Sequence, residues 1–193
     1  MKIASFSFLV AFTSAASAAT SQYSDLDLSR CKRLNKDVQE DDGGVWLCPG
    51  IKGYEVTYSE GDLRGAVAFG PNPDAQCSST QSFGAFNSPG KKIEWRMDKG
   101  KPIATILRWT TDNGEDNTKK NWLVVTKLDG QNTCRTALID TQLSEPNKLA
   151  RERADSTQNF NCEKDLPEIV SRLELKADEL MSGVPCGKEP FRQ

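Results

Sequence analysis

The clearest signal in the sequence is an alternation of apolar and polar residues with a period of two. Two such runs, YEVTYS from Tyr54 and LRGAVAF from Leu63, flank Glu60-Gly61. A two-residue turn there sets Tyr58 opposite Leu63, Val56 opposite Gly65 and Tyr54 opposite Val67. The apolar residues then share one side, and Glu55, Thr57, Arg64 and Ala66 share the other. Two independent patterns agree, so a hairpin is predicted. Further on, KIEWRM puts Ile93, Trp95 and Met97 on one face. After a turn at Lys99-Gly100, PIATILRWTT continues that face with Ile103, Leu107 and Trp109 when Met97 pairs with Ile103. NWLVVTKL and, beyond Asp129-Gly130, CRTALIDT extend the pattern. The stretch from Pro71 to Lys92, rich in Gly, Ser, Pro and Asn, reads as a loop. Together these runs predict an antiparallel meander of about six strands, closed into a small barrel or left as a sheet covered on one face.

The period changes beyond Ser144-Glu145-Pro146. The segment NKLARERADS has a proline just ahead of it and no β-branched residue, which predicts a helix turning Leu149, Ala150 and Ala154 toward the sheet. A second helix is predicted from Asp165-Leu166-Pro167-Glu168, where Glu168 follows the capping Asp165 by three residues and Ile169, Leu173, Leu180 and Met181 recur at helical spacing. The fold class is mainly β, or α+β, with one or two C-terminal helices.

The N-terminus follows neither period. Lys2 is the only charge ahead of an apolar run from Ile3 to Phe12, which gives way to Ala16-Ser17-Ala18. That is the layout of a secretory signal peptide over residues 1–18, cleaved after Ala18. The apolar run falls well short of the roughly 20 residues a bilayer requires, and no later segment is apolar enough to span one. Residues 19–193 are then a single β-rich domain with a helical C-terminal segment. The chain has 25 Lys and Arg against 27 Asp and Glu, and the signs are interspersed. No positive field of the kind nucleic acid requires is built.

An exported chain changes the reading of its six cysteines, Cys31, Cys48, Cys77, Cys134, Cys162 and Cys186. An even set in an oxidising compartment reads as three disulfides. With no C-x-x-C pair and no histidine in the chain, a zinc site has little to build on. Local closure at each end and one staple across the sheet give Cys31–Cys48, Cys77–Cys134 and Cys162–Cys186.

The missing histidine also excludes Ser-His-Asp and Cys-His catalysis in their ordinary forms. Nucleotide-cradling motifs are absent as well, so no cofactor is expected. Carboxylate-pair chemistry remains open, with Glu94 and Asp140 as the pair for a glycosidase and a solvent-face role as their alternative. The loop of Asp112, Asn113, Glu115, Asp116 and Asn117 offers oxygen ligands for calcium but does not match an EF-hand, and a solvated hairpin loop is the simpler account; no metal is assigned. Trp46, Trp95, Trp109 and Trp122, with Tyr54 and Tyr58, are read as core. The binding candidates are Glu60 and Asp62 at the hairpin tip and Phe83 and Phe86 in the loop FGAF. The alternative for the two phenylalanines is that they tuck inward and pin the loop.

The combination WLCPGIKGYEV, then RTALIDTQLSEPNKLARERADS leading to Phe160-Asn161-Cys162, resembles a group of small exported proteins of alphaproteobacteria. The resemblance implies periplasmic residence and brings no activity and no site residue with it. The residues therefore describe a non-enzymatic exported binding protein, in the periplasm or secreted, that recognises a protein or a glycan, with inhibition of a lytic enzyme as one form of that role. A carboxylate-pair hydrolase and a structural envelope protein are the alternatives. Neither nucleic acid nor a membrane span is expected.

Overall fold

The computed structural model describes residues 19–35, 43–112, 114, 118–130 and 132–187, so the leader read at 1–18 lies outside the described residues. Six strands form the larger sheet, in the spatial order β1 (Thr20–Asp25), β7 (Phe86–Asp98), β8 (Lys101–Asp112), β9 (Lys119–Lys127), β10 (Cys134–Asp140) and β11 (Glu168–Val170). All neighbours are antiparallel except β10 and β11, which run parallel. A smaller sheet holds β2 (Lys32–Arg33), β3 (Gly44–Pro49), β4 (Glu55–Gly61) and β5 (Arg64–Gly70) in chain order, all antiparallel. The two-residue strands β6 (Ser82–Phe83) and β12 (Met181–Ser182) pair with each other. Among the described residues the α-helices are α1 (Pro146–Asp155), of ten residues, and α2 (Ala177–Leu180), of four.

The larger sheet is buried on both faces, which explains why runs such as WLVV and ALI do not alternate cleanly. On one face Ile93, Trp95, Leu107, Trp109, Trp122, Val124 and Leu138 pack in one cluster with Val56, Tyr58, Val67 and Phe69 of the smaller sheet. On the other, Ala104, Ile106, Leu123, Val125, Ala137 and Ile139 meet Ala150 and Ala154 of α1, with Leu149 packed against them. Trp95 lies at the heart of the first cluster, fully buried. The rings of Tyr54 and Phe69 meet it edge-on at 6.1 and 5.6 Å, and its indole N–H donates to Ser24 Oγ at 2.9 Å, the partner a buried indole requires.

The mainly-β, disulfide-stapled α+β class is the one the alternation predicts, but the strands form two packed sheets rather than one meander, Met97 pairs with Pro102 rather than Ile103, and four further details differ from expectation. First, the β4–β5 hairpin turns at Asp62-Leu63 rather than Glu60-Gly61, pairing Tyr58 with Val67 and Val56 with Phe69. The slip is an even number of residues, so every side chain keeps its face, and the longer ladder buries Phe69. Second, the predicted loop ends at Phe86, because the long β8 carries partners for Phe86–Pro89. Third, Glu168–Val170 is a strand: β-branched Ile169 and Val170 cover the otherwise open edge of β10, opposite Leu138 and Ile139. Only Ala177–Leu180 of the second predicted helix is helical.

Fourth, the disulfides are Cys31–Cys48, as expected, with Cys77–Cys186 and Cys134–Cys162 in place of Cys77–Cys134 and Cys162–Cys186. The fold brings these last four cysteines to one place, so chain order carries no information about their partners. Among the described residues no helix is long and apolar enough to cross a membrane.

Candidate functional site

The hairpin tip is conformationally expensive. A two-residue turn matching the twist of its strands needs positive φ at both central positions, and here these are Asp62 (φ 49°) and Leu63 (φ 58°). Asp tolerates that region, whereas Leu pays about 1 kcal/mol or more for it. Burial repays none of this cost, since Leu63 is 62% exposed. The tip is nonetheless held firmly. Asn87 N–H donates to Leu63 O at 2.9 Å, and Arg64 Nε donates to Gly84 O at 2.8 Å. The Arg64 guanidinium also pairs with Asp62 and lies 5.0 Å above the Phe86 ring.

Beside the tip opens a cleft of about 430 Å³ between the two sheets' ends. Tyr58, Phe86 and Leu63 give it rings and an apolar edge; Asn87, Ser88 and Thr110 supply hydrogen-bonding groups; Glu60, Asp112 and Lys119 supply charges of both signs. Buried Asn87 shapes the wall: its Oδ1 accepts from Gly65 N–H at 3.1 Å and its Nδ2 donates to Ala85 O at 2.9 Å. Tyr58 stacks on Trp46 with centroids 5.5 Å apart. Burial, and then the charge of Glu60, push its phenol up to about 12, so at cellular pH it is a neutral hydrogen-bonding group. Gly65 is required across the ladder, because a Cβ there would come within 2.9 Å of the Tyr58 ring.

A second cleft of about 340 Å³, lined by Leu26–Ser29 and Ser88–Lys91, shares Tyr58 and Ser88 with the first. The two make one groove, rimmed by exposed Leu28 at one end and Leu63 at the other. Asp27 adds a carboxylate at that far end, held below its ordinary value by hydrogen bonds from the Ser29 hydroxyl and backbone.

The structure separates the four binding residues read from the sequence. Glu60 and Phe86 line the cleft. Asp62 is exposed at the turn, engaged by Arg64. Phe83 faces inward at 1% exposure; it packs on Trp109 at 5.9 Å and under the buried Arg135 guanidinium at 5.3 Å, so it pins the loop to the sheet. Arg135 also lies 4.7 Å over Trp109, and burial pushes it down to about 9. Of the candidate calcium loop, Asn113, Glu115, Asp116 and Asn117 lie outside the described residues. Asp112 lines the cleft and its Oδ1 accepts from Gly114 N–H at 2.9 Å.

Glu94 and Asp140 do not come together. The ladder sets Glu94 in line with Ile106, Val125 and Ala137 on the α1 face, and Asp140 with Trp122 and Trp109 on the opposite face. Glu94 accepts from Arg151 Nε and Ser21 Oγ, each at 2.6 Å, with Arg96 close by at 3.9 Å. Burial pushes its carboxyl up, but the hydrogen bonds from Arg151 and Ser21 and the charges of Arg151 and Arg96 outweigh that and hold it below its ordinary 4.5. A general acid requires the reverse. Because the folded state lowers this value, the stabilisation is fully present above about 4.5 and is lost as pH falls through the folded value. Glu94→Gln is therefore expected to cost about 1–2 kcal/mol at pH 7, discounted because Arg151 is 42% exposed. The cost shrinks in thermal melts as pH is lowered through the folded value; a cost that does not change with pH below 4.5 while the protein stays folded would contradict this account.

Sequence reading missed Leu63, Asn87, Ser88, Thr110 and Lys119. They come from four separate segments that only the fold assembles, and an Asp-Leu turn carries none of the glycine or asparagine that signals such turns. What the fold and groove define is a disulfide-stapled protein of two packed β-sheets with a helix on the outer face. Compared with protein-family models, with curated proteins and with solved structures, the chain matches none of them.

Proposed function

We propose that this chain is an exported, non-enzymatic binding protein that holds an extended segment of a partner, a peptide stretch or a glycan strand, in the groove over Tyr58 and Ser88. The observation that carries the reading is Leu63: a large apolar side chain kept exposed, in a backbone conformation that costs stability, at the lip of a cleft with mixed polar and aromatic lining. Strain retained without a packing gain is characteristic of functional sites. Rings with hydroxyl, amide and charged groups suit polar chain ligands, and three disulfides make a stiff frame for the loops that meet them. Those disulfides belong to an oxidising, extracytoplasmic environment; residues 1–18, read as a leader, extend this to the periplasm or the medium.

Leu63→Gly separates function from folding. It is expected to raise the melting temperature by a few degrees, about 1 kcal/mol, while weakening partner binding about tenfold or more. The two readouts are a thermal melt and a binding titration against the partner retained from envelope extracts or glycan arrays. Unchanged affinity in a more stable variant would remove Leu63, and with it the main support, from the site.

A further inference from the structure

Two of the three disulfides meet. The Sγ atoms of Cys134, Cys162 and Cys186 all lie within 4.8 Å of one another, although Cys134 is bonded to Cys162 and Cys186 to Cys77. The backbone also brings the members of the other pairing near each other. Cys186 N–H donates to Cys162 O at 2.8 Å, placing those two residues side by side. Ser78 N–H donates to Thr133 O at 2.9 Å and the two hydroxyls meet at 2.7 Å, tying together the neighbours of Cys77 and Cys134. One hydrogen-bonded frame thus holds all four cysteines close together. Cys77 and Cys186 are half-buried, whereas Cys134 and Cys162 are buried.

We propose that Cys77–Cys186 is a thiol-exchange site whose substrate is the thiolate of a small thiol or of a partner's cysteine, and that it relays exchange to Cys134–Cys162. The incoming thiolate attacks Cys77 Sγ, forming a mixed disulfide and releasing Cys186 as thiolate. Cys186 then attacks Cys162 Sγ, forming Cys162–Cys186 and releasing Cys134 as thiolate. Cys134 attacks Cys77 Sγ in the mixed disulfide, forming Cys77–Cys134 and expelling the original thiolate. Three bonds form and three break, and nothing is oxidised or reduced overall. For the relay step the Cys186 and Cys162 sulfurs need to close from within 4.8 Å to about 3.5 Å; the last step brings Cys134 to Cys77 after Cys186 has left it, and each attacking sulfur is a thiolate, as exchange requires.

The site controls a definite part of the molecule. Cys186 ends a C-terminal strap in which β12 pairs with β6 and the Gln81 side-chain amide donates to Gly183 O at 3.2 Å. Opening Cys77–Cys186 unties that strap from the segment leading to Phe86 and the cleft; exchange reties it to Cys162. A partner cysteine arriving at Cys77 is held covalently until Cys134 displaces it. None of this depends on what the groove binds.

The test is to incubate oxidised, folded protein in a reduced/oxidised glutathione buffer without denaturant, quench with acid and map disulfides by mass spectrometry after digestion with pepsin. Peptides joining Cys77 to Cys134 and Cys162 to Cys186 are expected at about a tenth or more of the native pair, a gap of no more than about 1.4 kcal/mol, with Cys31–Cys48 intact. Finding only the native pairs, or all six cysteines scrambled alike, overturns the proposal. Cys77→Ser supplies a second reading: its Cys186 thiol is expected to appear partly in a disulfide with Cys162, with Cys134 alkylated in its place. Alkylation of Cys186 alone overturns the relay.

Discussion

Complete reduction of the three disulfides is expected to unfold the protein at neutral pH and room temperature without denaturant. The closed loops span 17, 109 and 28 residues, and constraining an unfolded chain by loops of these lengths contributes about 3–5 kcal/mol apiece. Three such terms rival the whole stability of an ordinary domain, about 5–15 kcal/mol. Locally, Cys77–Cys186 fixes the strap that covers β6, Cys134–Cys162 fixes the return of the chain to β11, and Cys31–Cys48 ties the short β2 into the smaller sheet. Chain produced in a reducing cytosol is accordingly expected to aggregate. Circular dichroism melts with and without reductant check this, and unchanged melting after complete reduction would show that the sheets alone hold the fold.

Trp95→Ala is expected to cost about 3–5 kcal/mol, a fall in melting temperature on the order of 10 °C. The indole is fully buried between the sheets, two rings pack edge-on against it, and Ser24 loses its N–H donor. Trp95→Phe retains the ring contacts and is expected to lose less than half as much. Leu166→Ala and Leu173→Ala, at exposed leucines, are expected to stay within about 0.5 kcal/mol of the parent. An equal loss at Trp95 and at either leucine would contradict the placement of the core.

These two expectations rest on what was legible in the sequence. Parity along a strand survives small errors of register, so Val56, Tyr58, Trp95, Leu107 and Trp109 were assigned to the buried face even though the first turn lies two residues further on. The helix at Pro146–Asp155, with Leu149, Ala150 and Ala154 inward, was readable because proline and the lack of β-branching act locally. Glu168–Val170 was not, since its strand exists to satisfy an edge contributed by β10. The disulfide pairing was hidden for a related reason: four cysteines converge, and the choice between two sets turns on side-chain direction within one small volume. At the site, Glu60 and Phe86 stood out by type and loop position, whereas Ser88, Thr110 and Lys119 are ordinary residues that gain meaning only from the cleft they share.

The groove is the central claim, and Ser88 is the residue through which to test it, being exposed and common to both clefts. Oxidised protein, its Ser88→Arg variant and a Glu152→Arg control on α1, across the larger sheet from the groove, would be immobilised and titrated against the protein or glycan that the parent retains from envelope extracts and arrays. The groove account predicts parental affinity for Glu152→Arg and a loss of about tenfold or more for Ser88→Arg, with all three melting alike. Retention of the same partner at parental affinity by Ser88→Arg, or no partner retained by the folded parent at all, would contradict it.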